Sequence, residues 1–117
     1  MDDDVVLRDT IVFDFKRKGF KVFAAENGTN AFDIVKSQNI DLVLSDIRMP
    51  NGDGIELLEK TRVRDPKIPI IILITGFSDA NESELIQKGA LQVIHKPFDR
   101  KKLMDSVILA LGISSNE

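Results

Sequence analysis

The stretch Pro69-Ile70-Ile71-Ile72-Leu73-Ile74 decides how this chain folds. After the proline it is apolar at every position. A strand with one wet face alternates apolar and polar residues, so a run that is apolar at both sets of positions must be dry on both faces. Such a strand belongs in the middle of a parallel sheet, with helices packed above and below it. Pro69 suits its start, because proline has no N–H to contribute to a ladder.

Working outward, Ile40-Asp41-Leu42-Val43-Leu44-Ser45 reads as a second buried strand, ending at Asp46. Leu91 to Ile94 reads as another, and Phe20 to Ala25 as a short strand-like run. The segments between them carry helical spacing and stop signals. Val5 to Lys18 repeats Leu7, Ile11, Val12 and Phe15, with Asp4 as N-cap and Gly19 after the basic turn Lys16-Arg17-Lys18. After the turn Asn27-Gly28, Thr29 caps a helix reaching Gln38 through Ala31, Ile34 and Val35. Ile55 to Arg64 turns Leu57 and Leu58 inward, following a loop that holds Pro50, Asn51, Gly52 and Gly54. Ser78 or Asp79 caps a helix that ends at Gly89, and Asp99 caps a last one carrying Leu103, Val107, Ile108 and Leu111 on one face. Strict alternation of this kind predicts an α/β fold of right-handed βαβ units, with about four strands and five helices.

The composition bounds the possibilities. The chain has 117 residues, 43% hydrophobic and 30% charged, which suits one compact soluble domain. Its net charge of −3 lacks the basic footprint of direct nucleic-acid binding. There are no cysteines, so disulfides and thiolate metal sites are excluded. No apolar run approaches the roughly 20 residues that cross a bilayer. Met1 is followed by three Asp, the opposite of a secretory signal, so the expected location is the cytoplasm.

In a parallel α/β sheet the chemistry collects at the carboxyl ends of the strands. Asp46, Thr75 and Lys96 each end a strand, and Asp2 and Asp3 stand directly before the first helix. Clustered carboxylates invite a divalent cation, and Mg²⁺ takes hard oxygen ligands. A carboxylate can act as nucleophile on a phosphoryl group, with a hydroxyl and an ammonium stabilising the oxygens. Taken singly, each residue has a plainer reading. Asp46 has even odds of being a turn cap. Asp2 to Asp4 read more readily as an acidic helix start. Thr75 is an ordinary strand end, and Lys96 before Pro97 a solvated lysine. Their conjunction at successive strand ends carries the argument.

That conjunction resembles the response-regulator receiver domain of two-component signalling. Asp2-Asp3-Asp4-Val5-Val6-Leu7-Arg8 resembles the acidic start of the family. Leu42 to Pro50 with Asp53-Gly54 is similar to its phosphoacceptor segment, Ile70 to Thr75-Gly76 to its strand end of Thr or Ser followed by a small residue, and His95-Lys96-Pro97-Phe98 to its Lys-Pro-Phe turn. The resemblance covers nearly the whole chain. It implies a flavodoxin-like, doubly wound parallel sheet of order 2-1-3-4-5. Asp46 would be the phosphoacceptor, and Thr75 and Lys96 would contact the phosphoryl group. Mg²⁺ would be held by Asp3, Asp46 and the backbone carbonyl of Arg48, with Asp2 acting through water. The donor would be a histidine kinase, a phosphotransfer protein or a small acyl phosphate, and the receiver would be no enzyme beyond self-catalysed aspartyl phosphorylation and dephosphorylation.

Two departures modify the expectation. The family carries a buried strand before the acidic pair, whereas Met1 precedes Asp2 directly, so residues 1–117 read as a receiver lacking its first strand and any output domain. Three consequences are open: the flanking strands pair directly, a neighbouring chain lends a strand or edge, or the chain is a truncated form of a longer one. Mg²⁺ binding is then expected to be weakened or lost. The first helix, with Val5, Val6 and Phe13 beside its core stripe, is apolar nearly all round, which suggests a homodimer through that helix or an exposed strand edge. The second departure is Val93, three residues before Lys96, where many receivers have an aromatic switch residue.

Three functional readings compete. The first is a phosphorylatable receiver that signals to a downstream protein by conformational change. The second is a degenerate pseudo-receiver acting as a phosphorylation-independent interaction or dimerisation module. The third, a haloacid-dehalogenase-like phosphatase, wants an acid two residues after the nucleophile, and Arg48 stands there. A nucleotide-binding module fits worst, since no glycine-rich phosphate loop follows any strand.

Overall fold

Ile71, Ile72, Leu73 and Ile74 are almost wholly shielded from solvent, and the strand that contains them is the middle of a three-stranded parallel sheet. The computed structural model describes residues 5–47, 54–76 and 82–112. Its elements are α1 (Val5–Arg17), α2 (Gly28–Ser37), β1 (Leu42–Asp46), α3 (Gly54–Arg64), β2 (Ile70–Thr75), α4 (Glu82–Gln87), β3 (Gln92–His95) and α5 (Arg100–Leu111). The sheet order is β1-β2-β3, with Asp46 opposite Ile74 and Thr75 opposite His95.

The sheet is covered on both faces, as the apolar character of β2 requires. Val43, Ile71, Leu73 and Val93 point to a cluster built with Ala31 and Val35 of α2, Leu57 and Leu58 of α3 and Leu85 of α4. Ile72 points the other way, to Phe15 of α1 and Met104, Val107 and Ile108 of α5. This is the doubly wound α/β arrangement expected from the sequence.

Local chemistry explains most boundaries. Asp99 caps α5, its carboxylate accepting from the backbone N–H of Lys101 (2.8 Å) and Lys102 (3.3 Å). Gly112 closes α5 at φ 71°, a left-handed conformation natural to glycine. The cap of α2 is Asn27 rather than Thr29: its Oδ1 accepts from Asn30 N–H at 2.9 Å. Asparagine at this place satisfies the donor three residues on, which starts the helix one step before Thr29. Asp4, Ser78 and Asp79, the other expected caps, lie outside the described residues. A long-range tie joins α3 to the end of α4. Arg62 Nε donates to Gly89 O at 3.0 Å, and a side chain at Gly89 would run into the Arg62 side chain.

One expected strand is not in the sheet. Phe20–Ala25 runs without ladder partners, so the described sheet has three strands rather than four. A strand exists only by pairing, and the position between this segment and β1 is a cleft of about 810 Å³. Ile11, Val12, Val22, Val35, Leu42 and Leu44 are among the side chains lining it. The two segments therefore do not close up on each other.

α1 is tied to α5 by a two-pronged ion pair, with Arg100 Nε and Nη2 donating to the Asp14 carboxylate at 2.7 and 2.6 Å. The guanidinium holds the Asp14 carboxyl below the usual carboxylate range, and the carboxylate in turn pushes Arg100 up. The stabilisation is therefore complete above the ordinary aspartate value of about 3.9 and is lost as pH falls through the lowered one. Asp14→Asn is expected to melt below the unaltered protein at pH 7. The gap should close as the pH is brought toward about 2, and added salt should narrow it because the Arg100 side of the pair is exposed. Thermal melts across pH check this.

Candidate functional site

The carboxyl ends of the three strands form one rim. Asp46 is the last residue of β1, Thr75 the last of β2, and Lys96 follows β3 directly. Two backbone bonds hold the rim together: Ile47 N–H donates to Ile74 O at 2.9 Å, and Lys96 N–H donates to Thr75 O at 2.7 Å. Lys96 lies on the far side of β2 from Asp46, and its long side chain crosses that distance, passing beside Gly76. Its Nζ reaches Asp46 Oδ2 at 2.7 Å. The register thus makes neighbours of two residues separated by 50 positions in the chain.

Burial makes this pair consequential. The Asp46 side chain is 8% exposed and that of Lys96 28%, while Thr75 and Ser45 are fully buried. A carboxylate so withdrawn from water needs a cation or donors nearby. The same rim offers an anionic oxygen nucleophile, an ammonium and a hydroxyl-bearing residue at consecutive strand ends.

Of the residues singled out in the sequence, the structure brings Asp46, Thr75 and Lys96 together. Asp2, Asp3 and Arg48 lie outside the described residues, and among the described residues no cluster of three or more His, Asp or Glu side chains forms a metal site. Val93 is buried in the core cluster of the α2–α3 face, three residues upstream of the lysine.

Two further residues pack against Asp46. Ser45 Oγ donates to the Asp46 carbonyl at 2.9 Å. Gly54 N–H donates to Ile47 O at 2.8 Å, and a Cβ on Gly54 would overlap the Asp46 carbonyl oxygen. A signal for the first was available: a hydroxyl inside a dry strand must find a hydrogen-bond partner. Farther out, His95 Nε2 pairs with Glu82 Oε1, linking β3 to the start of α4.

Comparison with known proteins decides the family. Residues 1–108 match the model of the response regulator receiver domain. This chain is a member of the response-regulator receiver family. The receiver is 38% identical over 120 residues to sporulation initiation phosphotransferase F of Bacillus subtilis (strain 168), covering 99% of this chain and 94% of that protein. It is 35% identical over 112 residues to the transcriptional regulatory protein ZraR of Klebsiella oxytoca, covering 96% of this chain but only 25% of that longer protein. Its structure superposes on the receiver domain of the Francisella response regulator 1452 with a TM-score of 0.88 at 26% identity, covering 95% of this chain and 92% of that one. The receiver therefore has the family's flavodoxin-like fold and its phosphoryl-accepting role in two-component signalling. No helix among the described residues is long and apolar enough to cross a membrane.

Removing the ammonium while leaving the carboxylate tests the electrostatics of the rim. Lys96→Met is expected to lower unfolding stability at pH 7 by about 1–3 kcal/mol, because a nearly buried carboxylate loses its counter-charge. Urea denaturation checks this, and an unchanged midpoint would show that the pair contributes nothing.

Proposed function

We propose that Asp46 is the phosphoacceptor of this receiver. The observation that carries the proposal is the 2.7 Å contact of a nearly buried strand-end carboxylate with Lys96 Nζ, beside Thr75 on the intervening strand. A carboxylate oxygen of Asp46 attacks the phosphorus of the donor, the bond from phosphorus to the donor breaks, and an aspartyl phosphate forms. Lys96 then passes from the free carboxylate to a phosphoryl oxygen, and the Thr75 hydroxyl donates to another. Beyond self-catalysed gain and loss of this group the chain is not an enzyme.

Asp46 supplies one hard oxygen ligand suited to Mg²⁺, and Asp3, the Arg48 carbonyl and, through water, Asp2 are the proposed companions. When bound, Mg²⁺ neutralises charge on the phosphoryl oxygens. The donor is a histidine kinase, a phosphotransfer protein or an acyl phosphate, and the name of the Bacillus relative is in keeping with phosphotransfer. The protein acts in the cytoplasm and passes its signal to a downstream protein. Because Val93 is packed in the core and has no ring to swing, coupling from Thr75 to α4 and α5 uses another element.

Homodimerisation is the second part of the proposal. Val6 and Phe13, 77% and 61% exposed, lie two turns apart on α1 with Asp9 and Thr10 between them, and a second copy would cover these two apolar side chains. Light scattering is expected to give about twice the chain mass of 13.1 kDa, and a monomer at high concentration contradicts it. The pseudo-receiver reading rests on a different observation, the cleft beside β1, which leaves one side of the site strand without a strand neighbour among the described residues.

Intact mass after incubation with acetyl phosphate and Mg²⁺ separates the readings. A phosphoryl adduct is expected, absent in Asp46→Asn and after chelation of the metal. Thr75→Ala or Lys96→Met should slow its formation by about 100-fold. A folded sample with no adduct favours the pseudo-receiver.

A further inference from the structure

We infer that Ser45 is a positioning residue for the phosphoacceptor, acting through its hydroxyl on the Asp46 peptide; the inference rests on the proposed role of Asp46.

The peptide unit between Asp46 and Ile47 is held at both of its polar atoms. Its N–H, on Ile47, donates to Ile74 O of β2 at 2.9 Å. Its carbonyl, on Asp46, accepts from Ser45 Oγ at 2.9 Å. The ladder shows which way that carbonyl faces. Ile70 N–H donates to Asp41 O, and Ile47 N–H to Ile74 O, so odd-numbered residues of this segment turn their backbone groups toward β2. Asp46, an even position, turns its carbonyl to the side where the described sheet has no further strand. Ser45, fully buried, supplies a donor to that carbonyl from within its own strand.

The start of α3 closes the arrangement. Gly54 sits so near that a Cβ would overlap the Asp46 carbonyl oxygen and come within 2.9 Å of Ser45 Oγ. Its N–H donates to Ile47 O at 2.8 Å. The hydroxyl, the carbonyl and the first residue of α3 therefore form one contact. With the peptide plane fixed on both edges, the backbone rotation at Asp46 is fixed. The direction in which its carboxylate leaves the chain, toward Lys96 at 2.7 Å, is then fixed as well. Without the hydroxyl this carbonyl loses a donor, and the plane is held less firmly. Small displacements of a reacting group are costly: about 1 Å of misplacement can lose 100-fold in rate.

A positioning role and a merely structural one differ in what they move. Phosphorylation of full-length protein by acetyl phosphate with Mg²⁺ is followed to saturation for the unaltered chain and for Ser45→Ala, Ser45→Thr and Ser45→Val. Alanine leaves room in the site, while threonine and valine have nearly the same shape and differ by the hydroxyl. The expected result is that Ser45→Ala and Ser45→Val lower the saturating rate constant by about tenfold with the half-saturating acetyl phosphate little changed. Ser45→Thr should recover most of the rate. Circular dichroism at the assay temperature establishes that each sample is folded. Should threonine or valine not fold, the kinetic split in Ser45→Ala decides alone. A folded Ser45→Ala that reacts at the unaltered rate overturns the inference while leaving Asp46 as acceptor. Equal rates for folded threonine and valine variants do the same. Failure of the unaltered chain to acquire a phosphoryl group on Asp46 overturns both.

Discussion

β2 is dry on both faces, and the rest of the molecule follows from that constraint. Water cannot reach its backbone, so its N–H and carbonyl groups must be satisfied by strands on either side. β1 and β3 are those strands, both parallel to it, and α1, α5 and α2–α4 close the two faces. The register that satisfies the backbone also sets the site. Asp46 opposite Ile74 and Thr75 opposite His95 put the acid, the hydroxyl and the lysine on one rim. A slip of β1 by one residue would turn Asp46 to the opposite face and break the contact with Lys96.

β1 has a strand neighbour on one side only among the described residues. Its far side borders an apolar cleft walled by α1, α2 and the extended segment 20–25. Edges of sheets are ordinarily covered, twisted away or charged, because their backbone groups invite another strand. The site strand is anchored on the β2 side by the ladder, while its other side faces the cleft. Ser45 and Gly54 matter in this setting, since both secure the end of β1 from directions other than β2.

The buried polar residues show where function departs from packing. Ser45, Asp46 and Thr75 are buried within a few residues of the strand ends. Thr61 of α3 is also buried, and its hydroxyl has no hydrogen-bond partner among the described residues. An apolar residue of similar size would suit the first three places better for stability alone. Asp46 and Thr75 stand on the rim with Lys96, Ser45 donates to the Asp46 carbonyl, and nothing in the structure gives Thr61 a comparable place.

Much was legible from the residues alone, because it depends on local physics. Largely apolar runs identified β1 and β2, apolar spacing and stop signals identified the helices, α4 from its flanking signals alone, and Asp99 marked the start of α5. That Asp46, Thr75 and Lys96 would meet was legible because strand ends in a parallel sheet share a rim. The tertiary structure decided what depends on partners distant in the chain. Phe20–Ala25 has the composition of a strand but lies outside the sheet, since a strand is defined by its neighbour and not by its own residues. Asn27 rather than Thr29 caps α2, a choice between two good caps that backbone geometry makes. The reach of Lys96 across β2, the Arg62–Gly89 tie and the Ser45 hydroxyl on the Asp46 carbonyl arise from packing, whose distances no spacing along the chain encodes.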